Sequence, residues 1–497
     1  MYKKREHIHF MGIGGIGMSG IAEILRLRGY TVSGCDLATG TKTLQHLQTI
    51  GCTIHHKHAD WHVHDADVLV YSSAVNKQDG EVLAALSKGI PVIARAIMLA
   101  ELMRSKFSVA ISGAHGKTTT TSLISHIMIE AGKQPTIVVG GVVKNMANNA
   151  QLGEGEIFIA EADESDRSLL YLSPSVAVVT NIDAEHLDTY KDLDDIKNTF
   201  KDFLARIPFY GKAFVCLDDQ NIRSILPLQH VPTVAYGLSS DADVMGDNVV
   251  LDATSSSFDV YERSCPSTGS GRALSEKDSV KIGAHPELVE GSPIFKKEKK
   301  FLGRITASIP GIHNVRNCLA AIAVCREFDV SFAVISQALA TFKGVERRFE
   351  FKGTIKGAEI FDDYGHHPVE IKSTLLVAKK RANKRLHVVF QPHRFTRTEK
   401  LWDDFVNVFA DHQQDGYPIS TLYITDIYPA SEAPIPGITS EKLVSVIKEK
   451  NPALQVHYVS TYDQITRDVE QVIQEGDLVL TIGAGKINQV GETLLKK

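Results

Sequence analysis

The sequence lacks a close cysteine pair, a long apolar run and a strong charge of either sign. Its six cysteines are scattered without a C-x-x-C pair, which in a chain of 497 residues favours reduced thiols over a disulfide framework. No run of about 18 apolar residues occurs, and no apolar signal core precedes the first glycines, so we expect no membrane insertion. The net charge of −5 gives no reason to expect nucleic acid as a partner. These absences favour a cytoplasmic protein with locally built sites.

The length and the alternation of strand-like and helix-like segments predict an α/β protein of three domains, because a domain usually takes roughly 100–200 residues. We place the domains at 1–105, 106–343 and 344–497. Residues 254–300 are rich in Ser, Gly, Pro and charge, and we interpret them as a solvated surface loop inserted in the central domain. Deleting 264–293 should therefore leave the activity measurable.

The first domain opens with an apolar strand, a glycine loop and a helix. Gly12, Gly14 and Gly17 form G-x-G-x-x-G, and the strand that follows the helix ends in Asp36. This pattern is typical of a loop that holds a diphosphate at a helix N-terminus. Both a nicotinamide dinucleotide and a nucleotide sugar contain a diphosphate, so a dehydrogenase stays open as an alternative at this point.

A second glycine loop, G-A-H-G-K-T at 113–118, lies between a predicted strand and a predicted helix. Successive backbone N–H groups at a helix N-terminus suit a polyphosphate. Lys117 would place a cation on the outer phosphates, and the Thr118 hydroxyl is suited to Mg²⁺. The pattern therefore predicts a polyphosphate site, although the loop is shorter than the general G-x-x-x-x-G-K-[ST] form.

Acidic and basic side chains follow several predicted strands. Glu161 ends one strand and His186 follows another. Together they are candidate metal ligands beside the loop at 113–118, which we call the phosphate loop. A solvated acidic loop is the alternative for Glu161, and a packing role is the alternative for His186. Asn314 and Asn317 share one helical face. In the third domain the strand ends supply a further group, which would suit a substrate carboxylate: Asp363, Tyr364, His366, His393, Arg394 and Arg397.

A histidine-rich segment in the first domain matches no zinc-ligand spacing. It contains Cys52, His55, His56, His58, His62 and His64. We interpret it as a solvated face rather than as a metal site.

The motifs together resemble the Mur ligase family. They are, in chain order, GIGGIGMSGIA, GAHGKTTTT, AEADESD, NIDAEHLDTY, PGIHNVRN, GVERRFE, DDYGHHP, QPHRFTRT and IGAGKI. The resemblance covers almost the whole chain outside 254–300, with Ala114 in place of the usual Thr or Ser. It implies a Rossmann-like UDP-binding domain, a central ATPase-like domain with a parallel or mixed sheet, and a Rossmann-like C-terminal domain.

The resemblance also implies roles for individual residues. The UDP-sugar would bind Gly12, Gly14, Gly15, Ile16, Gly17, Asp36, Ser72 and Ser73. ATP would bind Gly113, Ala114, His115, Gly116, Lys117, Thr118, Thr119, Asn314, Asn317, Arg348 and Asp363. Mg²⁺ would bind Thr118, Glu161 and His186, and the amino acid would bind Tyr364, His393, Arg394 and Arg397. Lys117, Glu161, His186 and His366 would be catalytic, with His366 a candidate proton acceptor.

The implied reaction joins L-alanine to the lactyl carboxylate of UDP-N-acetylmuramate through an acyl phosphate, at the expense of ATP. A ligase that adds a whole tripeptide to the same sugar nucleotide shares most of the motifs and is an alternative. A nicotinamide-dependent dehydrogenase and a non-catalytic nucleotide-binding regulator are alternatives of other classes. We expect a monomer or a weak homodimer.

Overall fold

The computed structural model describes residues 6–72, 75–141, 149–187, 189–263, 299–411, 419–430 and 432–496. These residues form three α/β units, each built on its own sheet, which confirms the predicted fold class. Among them no helix combines the length and the apolar character that a membrane span requires. Five of the cysteines are described, and all five are free thiols.

The first unit contains a five-stranded, fully parallel sheet in the order β3-β2-β1-β4-β5. Its strands are β1 His7–Met11, β2 Thr31–Asp36, β3 Thr53–His56, β4 Val68–Tyr71 and β5 Val92–Ala94. Its helices are α1 Ile16–Leu27, α2 Lys42–Thr49, α3 Gly80–Ser87 and α4 Arg95–Met103, with a 3-10 turn at Asp60–Val63. The central position of β1 brings the ends of β1, β2 and β4 to one edge, where the first glycine loop lies.

The central unit contains a ten-stranded sheet in the order β15-β14-β13-β12-β11-β10-β6-β9-β7-β8. Its strands are β6 Phe107–Ser112, β7 Thr136–Val138, β8 Ala150–Gln151, β9 Ile157–Glu161, β10 Val176–Val179, β11 Lys212–Cys216, β12 Thr233–Gly237, β13 Val244–Leu251, β14 Ser256–Arg263 and β15 Lys299–Ala307. Its helices are α5 Lys117–Glu130, α6 Leu193–Leu204, α7 Gln220–Ile225, α8 Ile312–Glu327 and α9 Phe332–Thr341, with a 3-10 turn at Ser168–Tyr171.

This central sheet is mixed, because β8, β14 and β15 run antiparallel to their neighbours. β6 pairs in parallel with both β9 and β10, so their carboxyl ends meet at the phosphate loop. The solvated loop predicted for 254–300 is wrong at both ends, since residues 256–263 and 299–307 pair as strands. Their alternating burial, with Phe258, Val260 and Ile305 facing the core, holds them in the sheet. Residues 264–298 lie outside the described residues.

The third unit contains a six-stranded sheet in the order β16-β17-β21-β18-β19-β20, parallel except for the β16–β17 pair. Its strands are β16 Glu350–Ile355, β17 Ala358–Asp363, β18 Leu386–Phe390, β19 Ile419–Ile424, β20 Gln455–Tyr458 and β21 Leu478–Ile482. Its helices are α10 Pro368–Arg381, α11 Phe395–Lys400, α12 Trp402–Ala410, α13 Ser440–Lys450, α14 Tyr462–Val472 and α15 Asn488–Leu494.

The hydrophobic cores do not correspond one to one with the three sheets. One continuous core runs through the first and central units, whereas the third unit has two cores of its own. Gly20 of α1 lets the first and central units pack closely, because a Cβ there would lie 3.1 Å from Ala150 Cβ. The contacts of the third unit with the central unit include the polar pair Glu370 and His115, 3.5 Å apart, and its separate cores permit domain movement.

Candidate active site

The phosphate loop joins β6 to α5 in a backbone conformation that needs glycine. Gly113 has a φ of 137° and Gly116 a φ of 83°, both in the region that favours glycine. A Cβ on Gly113 would lie 2.1 Å from Thr180 Oγ1, and one on Gly116 would lie 2.7 Å from Asn317 Oδ1. The His115 backbone N–H donates to Asn181 Oδ1 over 2.8 Å, which fixes the loop from below.

Lys117 folds back over this loop. Its Nζ donates to the carbonyl oxygens of Gly113 (2.6 Å) and Ala114 (3.1 Å) and to Glu164 Oε1 (2.7 Å). Burial alone would lower the pKa of Lys117, but the carboxylates of Glu164 and Asp163 raise it above its usual value. The amine is therefore a fixed cation, and a polyphosphate on the loop would compete with Glu164 for it.

Thr118 and Glu161 form an oxygen pair at the start of α5. The Thr118 hydroxyl donates to Glu161 Oε2 over 3.2 Å, and the Gly140 N–H donates to Oε1 over 2.7 Å. Burial raises the pKa of Glu161, although these hydrogen bonds and Lys117 oppose the shift. A hydroxyl and a carboxylate in contact at a phosphate loop fit Mg²⁺, whose ligands are oxygen atoms.

His186 lies beside two carboxylates that our sequence analysis did not select as ligands. Its Nε2 is 3.4 Å from Glu164 Oε1 and 3.7 Å from Glu185 Oε2. Glu164 Oε2 and Glu185 Oε1 are buried and have no hydrogen-bond partner among the residues that the structure describes. The three side chains together present ligand atoms close enough for one cation. Their positions in the sequence could have indicated them, because Glu164 lies in the same acidic motif as Glu161, and Glu185 lies in the motif of His186.

Glu370 connects the phosphate loop to the third unit, and it too was missed. Its Oε1 is 3.5 Å from His115 Nδ1 and 3.6 Å from Arg348 Nη1, and its Oε2 is 3.5 Å from His366 Nδ1. Burial opposes its charge, but these groups hold its pKa well below the usual value. Burial would also lower the pKa of His115, yet hydrogen bonds to Asp183 and Glu370 raise it to about 10. An acid at the third residue of α10 was the available signal, since it completes a capping box.

A cavity of about 400 Å³ lies between the central and third units, above the phosphate loop. Its lining includes His115, Gly116, Thr119, Asn314, Asn317, Arg348 and Asp363, all predicted from the sequence. Burial raises the pKa of Asp363 to about 6, and the backbone N–H groups of Phe349 and Gly365 hold its carboxylate. Val369 and Val377 supply apolar wall. The volume and mixed lining are typical of a small-ligand site.

A smaller cavity opens between α11 and the loop that follows β10. It is lined by Ala184, Glu185, His186, Leu187, His367, Arg394, Thr396, Arg397, Lys400 and Leu401. The structure therefore brings the predicted Arg394 and Arg397 to His186. His367 lines this cavity, whereas His366 does not appear in its wall.

The other predicted amino-acid ligands lie behind the arginines. Arg397 Nη1 is 3.3 Å from His393 Nδ1, and the ring of His393 lies 5.9 Å from that of His366. Tyr364 packs against His366, with ring centroids 5.6 Å apart. Burial lowers the pKa of His366 to about 3 and that of His393 to about 4, with Arg397 adding to both shifts. Both imidazoles are therefore neutral near pH 7.

The glycine loop of the first unit is held by Asp36. The Gly14 N–H donates to Asp36 Oδ2 and the Ala38 N–H to Oδ1, each over 2.8 Å. Because both carboxylate oxygens bind backbone, Asp36 braces the loop, and the ribose contact of a dinucleotide site is not favoured. Gly12 has a φ of 77°, and a Cβ there would lie 3.2 Å from Ser72 Oγ. Ser73 lies outside the described residues.

Arg95 joins the two glycine loops and was absent from our sequence analysis. Its Nη2 is 3.5 Å from Asp163 Oδ2 in the central unit, and its Nη1 would be 3.1 Å from a Cβ on Gly17. Asn149 of the central unit also donates to the Ile16 carbonyl. A cation between two anion-binding loops suits a substrate whose phosphates and reacting carboxylate extend from one loop to the other.

Comparison with known proteins covers each unit. Family models match residues 7–107 (Mur ligase family, catalytic domain), 111–325 (Mur ligase middle domain) and 347–485 (Mur ligase, glutamate ligase domain). A UDP-N-acetylmuramate–L-alanine ligase of Geobacter sp. (strain M21) is 47% identical over 100% of this chain and 98% of its own length.

Two solved structures share the fold. A UDP-N-acetylmuramate–alanine ligase from Thermotoga maritima has a TM-score of 0.76 at 23% identity, over 99% of both chains. A murein peptide ligase from Psychrobacter arcticus 273-4 has a TM-score of 0.67 at 23% identity, over 99% of this chain and 98% of that one.

Proposed function

The chain belongs to the Mur ligase family, and we propose that it joins L-alanine to UDP-N-acetylmuramate at the expense of ATP, as a step of peptidoglycan precursor synthesis. The observation that carries the proposal is the end-to-end identity with ligases of that name, together with two differently built glycine loops in one chain. Every residue role below is part of the proposal. We also propose a cytoplasmic location, and a monomer or weak homodimer as the working form.

The first glycine loop would hold the UDP-sugar. Backbone N–H groups at the start of α1 suit the diphosphate, and Gly12, Gly14, Gly15, Ile16 and Gly17 let it approach closely. Ser72 and Ser73 would contribute beside the loop, and Asp36 would keep it in shape. Arg95 would then direct the lactyl carboxylate toward the central unit, because it reaches Asp163 there.

The phosphate loop would hold ATP, with the nucleoside in the larger cavity. Gly113 to Thr119 would surround the phosphates, and Asn314, Asn317, Arg348 and Asp363 would contact the nucleoside. Thr118 and Glu161 fit one Mg²⁺, and His186 with Glu164 and Glu185 fits a second, since two buried carboxylate oxygens there have no hydrogen-bond partner in the described ranges. Bound Mg²⁺ would neutralise the charge of the transferred phosphoryl group.

The chemistry requires a carboxylate to be activated, because its oxygen is otherwise a poor leaving group. The lactyl carboxylate would attack the γ-phosphorus and release ADP, with Lys117 stabilising the phosphoryl oxygens. The uncharged amine of L-alanine would attack the acyl phosphate, expel phosphate and form the amide. Arg394 and Arg397 would orient the alanine carboxylate, beside Tyr364 and His393. Closure of the third unit would exclude water from the acyl phosphate.

The amine must lose a proton, and two histidines near the smaller cavity, His366 and His367, are the candidates to accept it. We named His366 from the sequence, yet its pKa of about 3 makes it a weak base. His367 lines the cavity beside Arg394, but its Nδ1 accepts from the Val369 N–H over 3.4 Å. In a neutral ring its Nε2, 3.9 Å from Glu185 Oε1, therefore carries the proton, so we assign the proton acceptor to neither histidine. Burial lowers the pKa of His367 as well, so it too is neutral at pH 7.

The alternatives have less support. The murein peptide ligase and the Thermotoga alanine ligase are equally distant at 23% identity, but the alanine ligase has the higher TM-score, 0.76 against 0.67, and the relative at 47% identity is an alanine ligase. The dehydrogenase alternative leaves the Lys117 loop without a role, and Asp36 is already bound to backbone. A non-catalytic regulator would not need the acids around His186.

Phosphate release tests the proposal directly. The purified chain would be given ATP, Mg²⁺ and UDP-N-acetylmuramate, with L-alanine, glycine, L-serine or the tripeptide as the amine. We expect phosphate only when all substrates are present, and fastest with L-alanine. Release with the tripeptide but not with L-alanine would establish the alternative ligase, and release without the sugar nucleotide would refute both.

A further inference from the structure

Four buried side chains with metal-ligand atoms meet in the first unit, away from the site described above. They are His9 of β1, Cys35 of β2, His62 of the Asp60–Val63 turn and Glu81 of α3. One ligand atom from each lies within 4.8 Å of every other. His9, Cys35 and Glu81 are 0% exposed and His62 is 7% exposed. The solvated face predicted for the histidine-rich segment is therefore wrong at Cys52 and His62, which are buried, although His56 and His64 are exposed.

A chain of hydrogen bonds fixes which nitrogen of His9 faces the cluster with a lone pair. His7 Nδ1 lies 2.9 Å from the Asp65 carbonyl oxygen, which can only accept, so Nδ1 carries the proton. In a neutral His7, Nε2 is then an acceptor for the Ser33 hydroxyl, 2.7 Å away. The Ser33 oxygen in turn accepts from His9 Nδ1 over 2.7 Å. Nε2 of a neutral His9 is left without a proton.

That lone pair is directed at a carboxylate. His9 Nε2 is 2.7 Å from Glu81 Oε1, yet it is buried and makes no hydrogen bond of normal geometry within the described part of the chain. Oε1 also lies 3.2 Å from His62 Nδ1, and Oε2 lies 3.2 Å from Cys35 Sγ. Two acceptors in contact in a buried place repel each other unless a cation or an added proton lies between them.

We propose that His9, Cys35, His62 and Glu81 bind one zinc ion. Two imidazole nitrogens, one thiolate and one carboxylate oxygen form a set of four typical of tetrahedral Zn²⁺. The Ser33 hydroxyl, which orients His9 from outside the set, is the kind of partner that metal-bound histidines have. His58, with Nδ1 3.0 Å from Cys35 Sγ and a side chain 21% exposed, provides the path from solvent.

The ion would act on stability and on the first glycine loop rather than on chemistry. It would join β1, β2 and α3 at the end of β2, where the Cys35 carbonyl accepts from the N–H groups of Gly12 (2.8 Å) and Ile13 (3.2 Å). Binding to the folded state alone would raise the unfolding temperature. This inference does not rest on the proposed function, because metal binding is measured without substrates.

Cobalt substitution tests the site. The full chain would be stripped with a chelator and titrated with Co²⁺ alone. We expect about one ion per chain with the charge-transfer band of a Co²⁺–thiolate bond and the intense visible bands of four-coordinate Co²⁺. Zn²⁺ should remove these bands by displacement and raise the unfolding temperature.

Matched variants locate the ion. Cys35→Ser should abolish the charge-transfer band, and Glu81→Gln and His62→Asn should each weaken binding at least tenfold. Cys52→Ser and Cys216→Ser should keep the band, since Cys52 lies outside the cluster and Cys216 lies at the larger cavity. His64→Asn, an exposed change in the same segment, should also keep it.

The wild-type titration keeps the proposal falsifiable even if a variant fails to fold. Wild-type protein without a stoichiometric thiolate–cobalt band would overturn the zinc site and leave a buried His9–Glu81 ion pair as the explanation of the contact. A band that survives Cys35→Ser, or that disappears in Cys216→Ser, would overturn it as well.

Discussion

The two glycine loops of this protein share a strand–loop–helix backbone arrangement but differ in the charged side chains around them. Each follows a buried parallel strand and opens a helix, and each contains glycine at positive φ. The phosphate loop carries Lys117, with Glu161 and Glu164 around it. The loop at Gly12–Gly17 contains no charged residue and is held by Asp36, and the cation beside it, Arg95, comes from α4. Backbone N–H groups alone are enough to hold a diphosphate that does not react, whereas phosphoryl transfer needs fixed charge.

Removing the Lys117 cation from the phosphate loop should have the largest effect on activity. We expect Lys117→Ala to lower kcat about 1,000-fold, as loss of a charge that stabilises the transition state does. The measurement is phosphate release at saturating substrates. Lys133→Ala, which changes an exposed lysine just beyond α5, is the control and should turn over normally. Near-native turnover of Lys117→Ala would refute the role of this lysine.

Removing an arginine from the cavity beside α11 would test a third kind of anion site, built from arginine side chains. Arg394→Ala should raise the KM for L-alanine about 10- to 100-fold, the worth of a charge-assisted hydrogen bond, and change the KM for ATP little. Initial rates at varied L-alanine measure it, with the exposed Arg467→Ala as control. Equal increases in both KM values would count against a carboxylate contact.

Removing Asp36, which holds the glycine loop of the first unit, should change the KM for only one substrate. Without Asp36 the N–H groups of Gly14 and Ala38 lose their acceptor, so Asp36→Ala should raise the KM for UDP-N-acetylmuramate about tenfold. The KM for ATP should stay unchanged, and Asp65→Ala at an exposed site is the control. A larger change in the KM for ATP than in that for the sugar nucleotide would show that the loops are not separate.

The phosphate loop should also carry a pH-dependent part of the stability. Because the folded pKa of His115 is raised from 6.5 to about 10, its contribution is fully present below pH 6.5 and is lost as the pH rises to about 10. Chemical unfolding of wild type and His115→Gln without Mg²⁺ should differ by about 2 kcal/mol at pH 6 and converge near pH 10. A difference that grows with pH would contradict the assignment.

The smallest effect is expected for the composition-biased segment. Deleting 264–293 should leave phosphate release within about twofold of wild type, because a composition-biased insertion contributes little to a packed core. Circular dichroism would establish that the shortened chain is folded. A folded but inactive deletion would show that this segment takes part in the reaction.

The sequence predicted the parts of this fold that depend on local pattern. Strands β1, β2 and β6 and both glycine loops lie where their apolar runs and glycines indicated. The antiparallel pair of β14 and β15 was missed because its partners lie on either side of a long biased segment, and strand pairing across such a distance leaves no local signal.

Residues whose role comes from contacts between units were harder to find. Arg95, Glu370 and His367 each act through a partner from another unit or motif, which one-dimensional spacing cannot show. The burial of His62 has the same cause, since it depends on His9 and Glu81, whose positions the sheet and α3 determine.

Calorimetric titration of two variants tests most directly the claim that the two loops hold different nucleotides. Lys117→Ala should lose affinity for a non-hydrolysable ATP analogue and keep wild-type affinity for UDP-N-acetylmuramate, and Asp36→Ala should do the reverse. A variant that loses both ligands, or a UDP-sugar affinity that depends on Lys117 alone, would contradict the account.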